Sequence, residues 1–333
     1  MSKEISLVTG GNGHLGNNLI RHLLSQNETV VTTVRNKDNV TPFQGLSCEI
    51  FEADITDKKS LEVAFQGVNN LYAVAANFNM WAKNPKKDIY DVNIEGTRNV
   101  FEAAKESGVK NIVYVSSVAS LDFTLLPANV DNGYNRDRRN WYYNSKNDSD
   151  KLALALGKEY GIRTVNILPS AMIGSVAYRL SYSNKLVLQA LRGEIPVDTN
   201  ITLNWVDVKD VAYGAYQAMK RGKAGHRYIL ANEKHTTLTE TVKIAAGLFP
   251  NSNLKPPKKL PKPLLYLIAG MMELASKANG KEPLLQRHYL DMFYGLKQDY
   301  DVSKSRKELN FNPRSSEQAL RDAMMYLKNQ WDG

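Results

Sequence analysis

Short β-branched runs alternate with amphipathic helical patterns along the first half of the chain. The extended runs are EISLVT, ETVVTTV, SCEIFEA, LYAVAA, NIVYVSS and IRTVNIL, and the helical patterns between them include residues 57–65, 86–107 and 142–160. Strands that alternate with helices of this length predict a parallel sheet with helices on both faces. Six or seven such strands predict an α/β fold with a doubly wound parallel sheet, in which ligands bind beyond the carboxyl ends of the strands. We therefore expect the chemistry in the loops that follow the strands.

The second half of the chain has a looser pattern. Helical patterns occupy residues 185–192, 208–221 and 238–248, and a strand-like run, HRYIL, stands between the last two. We predict one sheet domain over residues 1–170, to which residues 203–232 return, and a smaller, mostly helical C-terminal region built from residues 171–202 and 233–333.

An apolar segment, Leu264–Ala275, follows a basic, proline-broken linker, Lys255–Lys262. The segment is shorter than the roughly 20 residues that cross a bilayer. It predicts a helix that covers a substrate pocket or, alternatively, an amphipathic helix in peripheral contact with a membrane. The linker has no aromatic residues between its lysines to stack on bases, so we expect a solvated linker and no nucleic-acid partner.

The composition, with 43% hydrophobic and 23% charged residues, is that of a globular protein. One cysteine, Cys48, excludes an intrachain disulfide and a multi-cysteine zinc site, and five scattered histidines predict no metal site. The formal net charge of +9 is spread along the chain and favours no particular partner. The first residues lack a secretory signal pattern, so a cytoplasmic location is expected.

A glycine-rich turn joins the first predicted strand to the first predicted helix in SLVTGGNGHLG. The sequence allows two glycine spacings, G-x-G-x-x-G from Gly11 and the wider G-x-x-G-x-x-G from Gly10. Such a turn brings the backbone close to a pyrophosphate, and the first helical residues supply unpaired N–H groups. Its place in the first strand–helix unit predicts dinucleotide binding. The residues predicted to approach the cofactor are Gly10, Gly13, His14, Leu15 and Gly16.

Arg35 and Lys37 follow the second predicted strand, where an acidic residue would meet an adenosine 2′-hydroxyl. A guanidinium there can hold a 2′-phosphate through charge-assisted hydrogen bonds of roughly 1.5–3 kcal/mol each, so we predict NADP rather than NAD. A solvated surface arginine is the alternative. After the third strand, Asp54 and Ile55 are placed to meet adenine, although Asp54 could instead cap the next helix.

Tyr142 and Lys146 stand four residues apart in NWYYNSK, so a helix places them on one face. A phenol with a pKa near 10 is a poor acid–base catalyst at neutral pH unless a nearby positive charge favours its phenolate, and Lys146 can supply that charge. Tyr143 is displaced from this face by about 100°. The strand NIVYVSS ends at Ser116 and Ser117, where a hydroxyl can orient a substrate carbonyl, and strand alternation makes the two face opposite ways.

These motifs resemble those of the extended short-chain dehydrogenase/reductases, which are Rossmann-fold enzymes, and most closely those of the dihydroflavonol-4-reductase-like group of NADP-dependent carbonyl reductases. The resemblance covers nearly the whole chain. It rests on VTGGNGHLG, VRNKDN, EADITD, VNIEGTRNV, YVSSVAS, YYNSK, NWVDVKDVA and a final YDVSKSRKELNFNPRSSEQALRDAM. The family's spacing between serine and tyrosine indicates Ser117 rather than Ser116 as the catalytic serine.

The resemblance also implies roles for individual residues. NADPH would give its hydride to a carbonyl carbon while Tyr142 donates a proton to the oxygen and Ser117 polarises that oxygen. Lys146 would hold the nicotinamide ribose and lower the pKa of the tyrosine, and Asn93 would be tied to the geometry of the site. The nicotinamide half of the cofactor would be met by Ala75, Ala76, Pro169, Ala171 and Met172.

An aromatic, methionine-containing wall is predicted from loops that follow strands, and it suits an apolar ring or chain. Its residues are Phe78, Met80, Trp81, Phe123 and Tyr178, together with Met172. Ordinary core packing is the alternative for each of them. The expected partner is a small-molecule carbonyl compound, and the expected state is a monomer or a homodimer.

Other functions use the same motifs. NAD-dependent nucleotide-sugar epimerases and dehydratases share the Ser-Tyr-Lys set, but Val118 and Ala119 stand where the dehydratases carry an acidic pair. Leu168 and Pro169 likewise replace the Arg-Pro pair common in sugar-nucleotide members. A hydroxysteroid or 3-hydroxyacyl dehydrogenase would run the reaction oxidatively. A non-catalytic NADP sensor would tolerate loss of the tyrosine or the lysine, and both are present.

Overall fold

The computed structural model describes residues 4–79, 82–280 and 283–331. Met80 and Trp81 of the predicted substrate wall lie outside the described residues. The strands, in chain order, are β1 (Ile5–Thr9), β2 (Thr29–Val34), β3 (Cys48–Glu52), β4 (Asn70–Ala73), β5 (Asn111–Val115), β6 (Arg163–Pro169), β7 (Ala171–Ile173), β8 (Val197–Asp198), β9 (Thr202–Leu203), β10 (Trp205–Asp207), β11 (Arg227–Leu230), β12 (Thr236–Thr237) and β13 (Lys258–Lys259).

Helices occupy much of the rest of the described chain. They are, in chain order, α1 (His14–Ser25), α2 (Lys58–Ala64), α3 (Val92–Glu106), α4 (Trp141–Tyr160), α5 (Tyr182–Leu191), α6 (Val208–Arg221), α7 (Leu238–Leu248), α8 (Lys262–Asn279), α9 (Arg287–Phe293), α10 (Ser303–Leu309) and α11 (Ser316–Trp331). A π-helical turn, Lys86–Asp91, precedes α3, and short 3-10 turns span Thr41–Phe43, Val118–Ser120 and Pro250–Ser252.

Seven parallel strands form the central sheet, in the order β11-β6-β5-β4-β1-β2-β3. This confirms the predicted α/β fold with a doubly wound sheet. The order reverses between β1 and β4, so the connections that follow these two strands cross opposite faces and leave a crevice at their carboxyl ends. The strand β11, from the second half of the chain, lies beside β6.

Helices cover both faces of this sheet. On one face α1 packs against α6, and on the other α3 lies between α2 and α4. The first core buries Leu19 and Val211, and the second buries Phe65 and Phe101, all at 0% exposure. Full burial of an apolar side chain of this size contributes about 1.5–3 kcal/mol. The two cores therefore give the loops at the carboxyl edge a rigid support.

The smaller region is mostly helical. Its helices α5, α7 and α11 pack around a third core that includes Val187, Trp205, Leu320 and Met324. The helix α7 begins with a capping box, in which the side chains of Thr237 and Glu240 each bond the other's backbone. The strand β7 follows directly after β6 and pairs with β10, which joins this region to the sheet.

The apolar segment predicted from the sequence lies in α8. One side of the helix packs on α9, where Leu265 and Ala269 contact Leu290. Its other side carries four exposed apolar residues, Leu264, Leu267, Met271 and Leu274. Among the described helices, α8 included, none is long and apolar enough to cross a membrane.

Candidate active site

The glycine-rich turn lies between β1 and α1, where the strand order reverses. Gly10 has a φ of +69°, and a Cβ on Gly16 would lie 2.3 Å from the carbonyl oxygen of Gly10. A Cβ on Gly11 would lie 2.0 Å from Oγ1 of Thr32, and the N–H of Gly13 donates to the Gly10 carbonyl at 2.9 Å. Both glycine spacings therefore have a steric basis.

The first turn of α1 offers backbone N–H groups. Its N-cap is Gly13, which has no side chain to accept from them, and the first turn contains no acidic residue. The side chain of Leu15 is buried in the core, so only its backbone N–H is available to a ligand at the turn. The positive end of the helix dipole adds to the attraction for a pyrophosphate.

Thr9, the last residue of β1, was missed by the sequence reasoning. Its buried Oγ1 accepts from the N–H groups of Val74 and Ala75, both at 2.9 Å. The Cβ of Ala75 lies 3.2 Å from the position that a Cβ on Gly10 would take. Ala75 and its neighbour Ala76 therefore border the glycine turn. The threonine before the glycines in LVTGG could have marked Thr9 as a candidate, but nothing in the sequence indicates that Val74 and Ala75 are its partners.

The ring of His14 links the glycine turn to the smaller region. Its Nε2 lies 3.2 Å from the carbonyl oxygens of both Gly174 and Ser175, which can only accept, so Nε2 carries the proton. Burial lowers the pKa of His14 to about 4, which keeps the ring neutral at pH 7. The segment that His14 binds has an unusual backbone conformation, since φ is positive at Gly174 (+130°) and at Val176 (+57°).

We expect His14 to make the stability of the fold depend on pH. Its folded pKa of about 4 lies below the ordinary 6.5, so the stability it contributes is present above pH 6.5 and is lost as pH falls toward 4. The linkage amounts to on the order of 1–2 kcal/mol at pH 5. Urea denaturation at pH 7.5 and 5.0 should show a smaller loss in His14→Gln, which keeps an amide donor. Equal losses in the two proteins would contradict this expectation.

The end of β2 presents basic side chains. Arg35 is exposed, and its guanidinium makes no hydrogen bond or ion pair with another described residue. The N–H of Lys37 donates to Glu52 at 3.2 Å, and its Nζ lies 5.6 Å from the ring centroid of Phe51. Among the described residues, the Arg35 guanidinium is therefore available to a phosphate at this edge.

The turn after β3 has its own internal bonds. Asp54 accepts from the N–H and the hydroxyl of Thr56 at 2.9 and 2.8 Å. The alternative that Asp54 caps α2 is wrong, because Asp57 accepts the N–H groups of the first turn. Ile55 packs on α3. A Cβ on Gly96 of that helix would lie 2.6 Å from Cδ1 of Ile55.

Ser117, Tyr142 and Lys146 come together beyond the carboxyl end of β5. Ser117 lies close enough to the Tyr142 hydroxyl to lower its pKa. The Oγ of Ser117 also accepts a backbone N–H at 3.1 Å. Lys146 is 1% exposed, and its Nζ has no hydrogen-bond partner among the described residues. That Nζ lies 4.5 Å from the ring centroid of Phe78. Ser116 is buried, and its Oγ has no hydrogen-bond partner among the described residues.

Burial is the main cause of the pKa shifts of Tyr142 and Lys146. Burial raises the pKa of Tyr142 to about 12, although Ser117 opposes the shift. Burial lowers the pKa of Lys146 to about 8, opposed by the charge of Asp150. The predicted lowering of the tyrosine pKa by Lys146 is therefore not seen in the protein alone, where burial and Ser117 are the causes of the shift. Tyr142 keeps its proton at neutral pH, the form in which it can donate.

The start of α4 fixes which tyrosine faces the serine. Asn140 caps the helix by accepting the N–H of Tyr143 at 3.1 Å. The Tyr143 ring packs on Phe293 of α9, with centroids 5.4 Å apart, and Tyr289 stacks on Phe293. The sequence reasoning missed these α9 aromatics, although their spacing of four residues in YLDMF places them on one helix face.

Asn93, in α3, connects two parts of the site through hydrogen bonds. Its Oδ1 accepts the N–H of Asn77 at 2.7 Å, and its Nδ2 donates to the Asn77 carbonyl at 3.0 Å and to Ser145 at 2.9 Å. It thereby joins the loop after β4 to the residue next to Lys146. These contacts position the loop and the helix relative to each other.

The predicted substrate wall is only partly assembled by described contacts. Phe78 is 45% exposed and covers Lys146. Phe123 packs instead on Tyr300, with ring centroids 6.1 Å apart, and the Tyr178 hydroxyl accepts from Arg21 at 3.3 Å on the surface of α1. Of these three predicted substrate-wall residues, Phe78 is the one that contacts Lys146.

The segment predicted to meet the carboxamide continues from the sheet. Pro169 is the last residue of β6, and Ala171 and Met172 lie in β7. Met172 packs against the first core of the sheet. The segment therefore leads from the carboxyl end of β6 to the backbone that His14 binds.

A nicotinamide dinucleotide fits these residues chemically. The glycine turn leaves room for a close backbone approach, the α1 terminus offers N–H groups without a competing carboxylate, and the buried Lys146 ammonium has no partner among the described residues. No group of three or more metal-ligating side chains occurs in the described part of the chain.

The chain is similar to known proteins over most of its length. The family model described as the NAD dependent epimerase/dehydratase family matches residues 6–231. A protein of Synechocystis sp. named "Putative dihydroflavonol 4-reductase" is 32% identical over 330 residues, 97% of this chain and 94% of that protein. An anthocyanidin reductase of Arabidopsis thaliana is 27% identical over 279 residues, 74% and 81% of the two chains. The crystal structure of gox2253 has a TM-score of 0.84 at 29% identity and covers 99% of both chains.

Proposed function

Because the chain belongs to the NAD dependent epimerase/dehydratase family, we propose that it reduces a ketone or aldehyde with NADPH through Ser117, Tyr142 and Lys146. The family binds nicotinamide dinucleotides, and the relatives of this chain include reductases, so it is an NAD(P)-dependent oxidoreductase. The proposed substrate is a small, apolar or aromatic carbonyl compound.

The observation that carries the proposal is the approach of Ser117 to the Tyr142 hydroxyl, one helical turn before a buried Lys146 ammonium that has no hydrogen-bond partner among the described residues. A phenol with a raised pKa is a proton donor at neutral pH, and a second hydroxyl beside it marks the place of the accepting oxygen. A carbonyl oxygen that lies between the two hydroxyls would meet two O–H donors at once. Such convergent donors stabilise the negative charge that develops on the oxygen.

Each of the site residues would have a separate role in the reduction of the carbonyl group. Bound NADPH would supply a hydride to the carbonyl carbon. Tyr142 donates its proton to the carbonyl oxygen, and Ser117 donates a hydrogen bond to the same atom. Lys146 binds the hydroxyls of the nicotinamide ribose, and its charge favours the phenolate that the tyrosine becomes. Phe78 keeps water from the lysine on the exposed side.

The preference for NADP over NAD is proposed to rest on Arg35. Its exposed guanidinium follows β2 and has no partner among the described residues, and the Lys37 ammonium stands two residues further on. Both are cations next to the position of an adenosine 2′-substituent in this fold. A phosphate there would be held by charge-assisted hydrogen bonds.

Replacing Arg35 by serine is expected to weaken NADPH binding about tenfold to a hundredfold and to leave NADH binding unchanged, because one or two charge-assisted bonds to the 2′-phosphate are lost. Fluorescence titration of each nucleotide measures both constants. The control is Arg221→Ser, an exposed arginine at the last residue of α6. Equal losses for NADPH and NADH would contradict the role of Arg35 in cofactor choice.

The reductase proposal as a whole is tested by native mass spectrometry of the purified protein, first alone and then with equal NADPH and NAD in competition. Preferential uptake of NADPH, followed by its oxidation with reactive aromatic and aliphatic aldehydes, is the expected result. Tightly retained NAD with no NADPH uptake would overturn the proposal and direct the search to nucleotide sugars, since an epimerase recycles its own hydride.

A further inference from the structure

A buried ion pair lies behind the proposed catalytic face of α4. Asp150 stands one turn after Lys146 and is 0% exposed. Arg227, the first residue of β11, is 7% exposed and places its Nε 2.7 Å from Oδ2 of Asp150. Burying two charges costs free energy that their attraction often fails to return, so such a pair is weak evidence for a purely stabilising role.

Arg227 also holds the turn that carries Ser117. Its Nη2 donates to Oγ of Ser120 at 2.8 Å, and that hydroxyl donates to the carbonyl of Ser117 at 2.9 Å. The ring of Tyr134 covers the guanidinium, with its centroid 4.0 Å from the central carbon. One side chain from the returning strand thus contacts both the serine turn and the helix that carries the tyrosine and the lysine.

Asp150 is held from several elements. Asn166 of β6 donates its Nδ2 to Oδ1 of Asp150 at 2.8 Å. The charge of Asp150 also contributes, after burial, to raising the pKa of Tyr134. Charged and titratable groups from several elements interact electrostatically with Asp150. They are Arg227 from β11, Tyr134 from the loop before α4, Tyr114 from β5, and Lys146 on the same helix as Asp150. Among these, Lys146 is the group whose charge the proposed reaction uses.

We propose that Arg227 and Asp150 are positioning residues for the reaction, fixing Ser117 against Tyr142 and supplying the buried negative charge that keeps the Lys146 ammonium charged. This inference rests on the proposed function. Neither residue touches the substrate. They act through the serine turn on one side and through the lysine on the other.

The test separates charge from shape. Asp150→Asn keeps the size and the accepting oxygen of the side chain and removes its charge. Lys146 then loses the opposing charge one turn away, so its proton dissociates at lower pH. With NADPH and a reactive aldehyde, we expect the alkaline limb of the pH profile of kcat/KM to move down by about one pH unit.

A second variant covers a failure to fold, since Asp150→Asn alone leaves Arg227 as an uncompensated buried cation. The double variant Asp150→Asn/Arg227→Gln removes both charges and keeps hydrogen-bonding groups. We expect it to fold, to show a smaller downward shift because loss of the Arg227 cation offsets part of the loss of the carboxylate, and to lose about tenfold in kcat with the KM for NADPH within twofold. A double variant with wild-type kcat and an unmoved alkaline limb would overturn the inference.

The matched control is the Arg138–Asp148 pair, which also lies against α4, with Nη2 of the arginine 2.6 Å from Oδ2 of the aspartate. The variant Asp148→Asn/Arg138→Gln should leave the alkaline limb in place, and a shift of the same size there would overturn the assignment to Asp150. Tyr142→Phe, assayed in parallel, distinguishes the positioning role from the proposed function. An inactive Tyr142→Phe with an unmoved limb in the Asp150 variants overturns only the positioning role, whereas a fully active one overturns the proposed function.

Discussion

Replacing Tyr142 by phenylalanine is expected to lower turnover by about a thousandfold while the affinity for NADPH stays within twofold. The substitution removes the hydroxyl that faces Ser117 and keeps the ring in its packing against Tyr143. General acid catalysis of this kind contributes on the order of 10²–10⁴ in rate. Steady-state kcat with a reactive aldehyde and fluorescence titration of NADPH measure the two quantities separately.

The control for this variant is Tyr143→Phe, which removes the neighbouring hydroxyl. Because that ring packs on Phe293 and not on the serine, we expect less than a tenfold change in kcat. If the two variants lose turnover equally, the proton donor has been misassigned. If Tyr142→Phe turns over at the wild-type rate, the Ser-Tyr-Lys mechanism is excluded for this chain.

A methyl group on Gly16 is expected to abolish tight cofactor binding. Its Cβ would lie 2.3 Å from the carbonyl oxygen of Gly10 and 3.0 Å from the carbonyl carbon, both backbone atoms of the same turn. The turn must open to accept it, which moves the N–H groups that approach the pyrophosphate. We expect Gly16→Ala to weaken NADPH binding at least a hundredfold, or about 2.7 kcal/mol. Isothermal titration calorimetry with NADPH measures the loss.

Gly247 provides the matched control, since it lies in α7 and a Cβ there would meet no atom within 4 Å. Alanine is the better helix former by roughly 0.5–1 kcal/mol, so Gly247→Ala should raise the thermal midpoint slightly and leave NADPH affinity unchanged. Wild-type affinity in Gly16→Ala would show that this turn does not carry the pyrophosphate.

Periodicity predicted the helices and strands well where local signals agreed with it. The predicted helices at 208–221 and 238–248 have the bounds of α6 and α7, because each follows a side chain, Asp207 or Thr237, that caps its first turn. The stretch at 86–107 contains both the π-helical turn and α3, which differ in hydrogen bonding but share one hydrophobic pattern. Periodicity cannot distinguish the two.

Partners across the chain could not be predicted in the same way. The clamp of Thr9 on Ala75 and the pair of Asp150 with Arg227 join residues that are far apart in sequence, and neither residue type signals its partner. The four-residue spacing of Tyr142 and Lys146 is local, so a single helix makes it visible. The candidate catalytic residues could therefore be predicted from local spacing, whereas the distant side chains that position them could not.

The strand β11 and the helix α6 have a consequence for how the protein is made. The glycine turn lies within the first sixteen residues, but the face behind it closes only when α6, at 208–221, packs on α1, and the sheet is complete only with β11 at 227–230. At synthesis rates of roughly 5–20 residues per second, the roughly 200 residues from the end of α1 to the end of β11 take on the order of ten seconds or longer. During that interval Leu19 and Leu23 of α1 lack their covering helix until α6 has been made. The proposed nucleotide site is therefore completed well after its glycine turn is made, and it depends on the nascent chain staying free of aggregation until then.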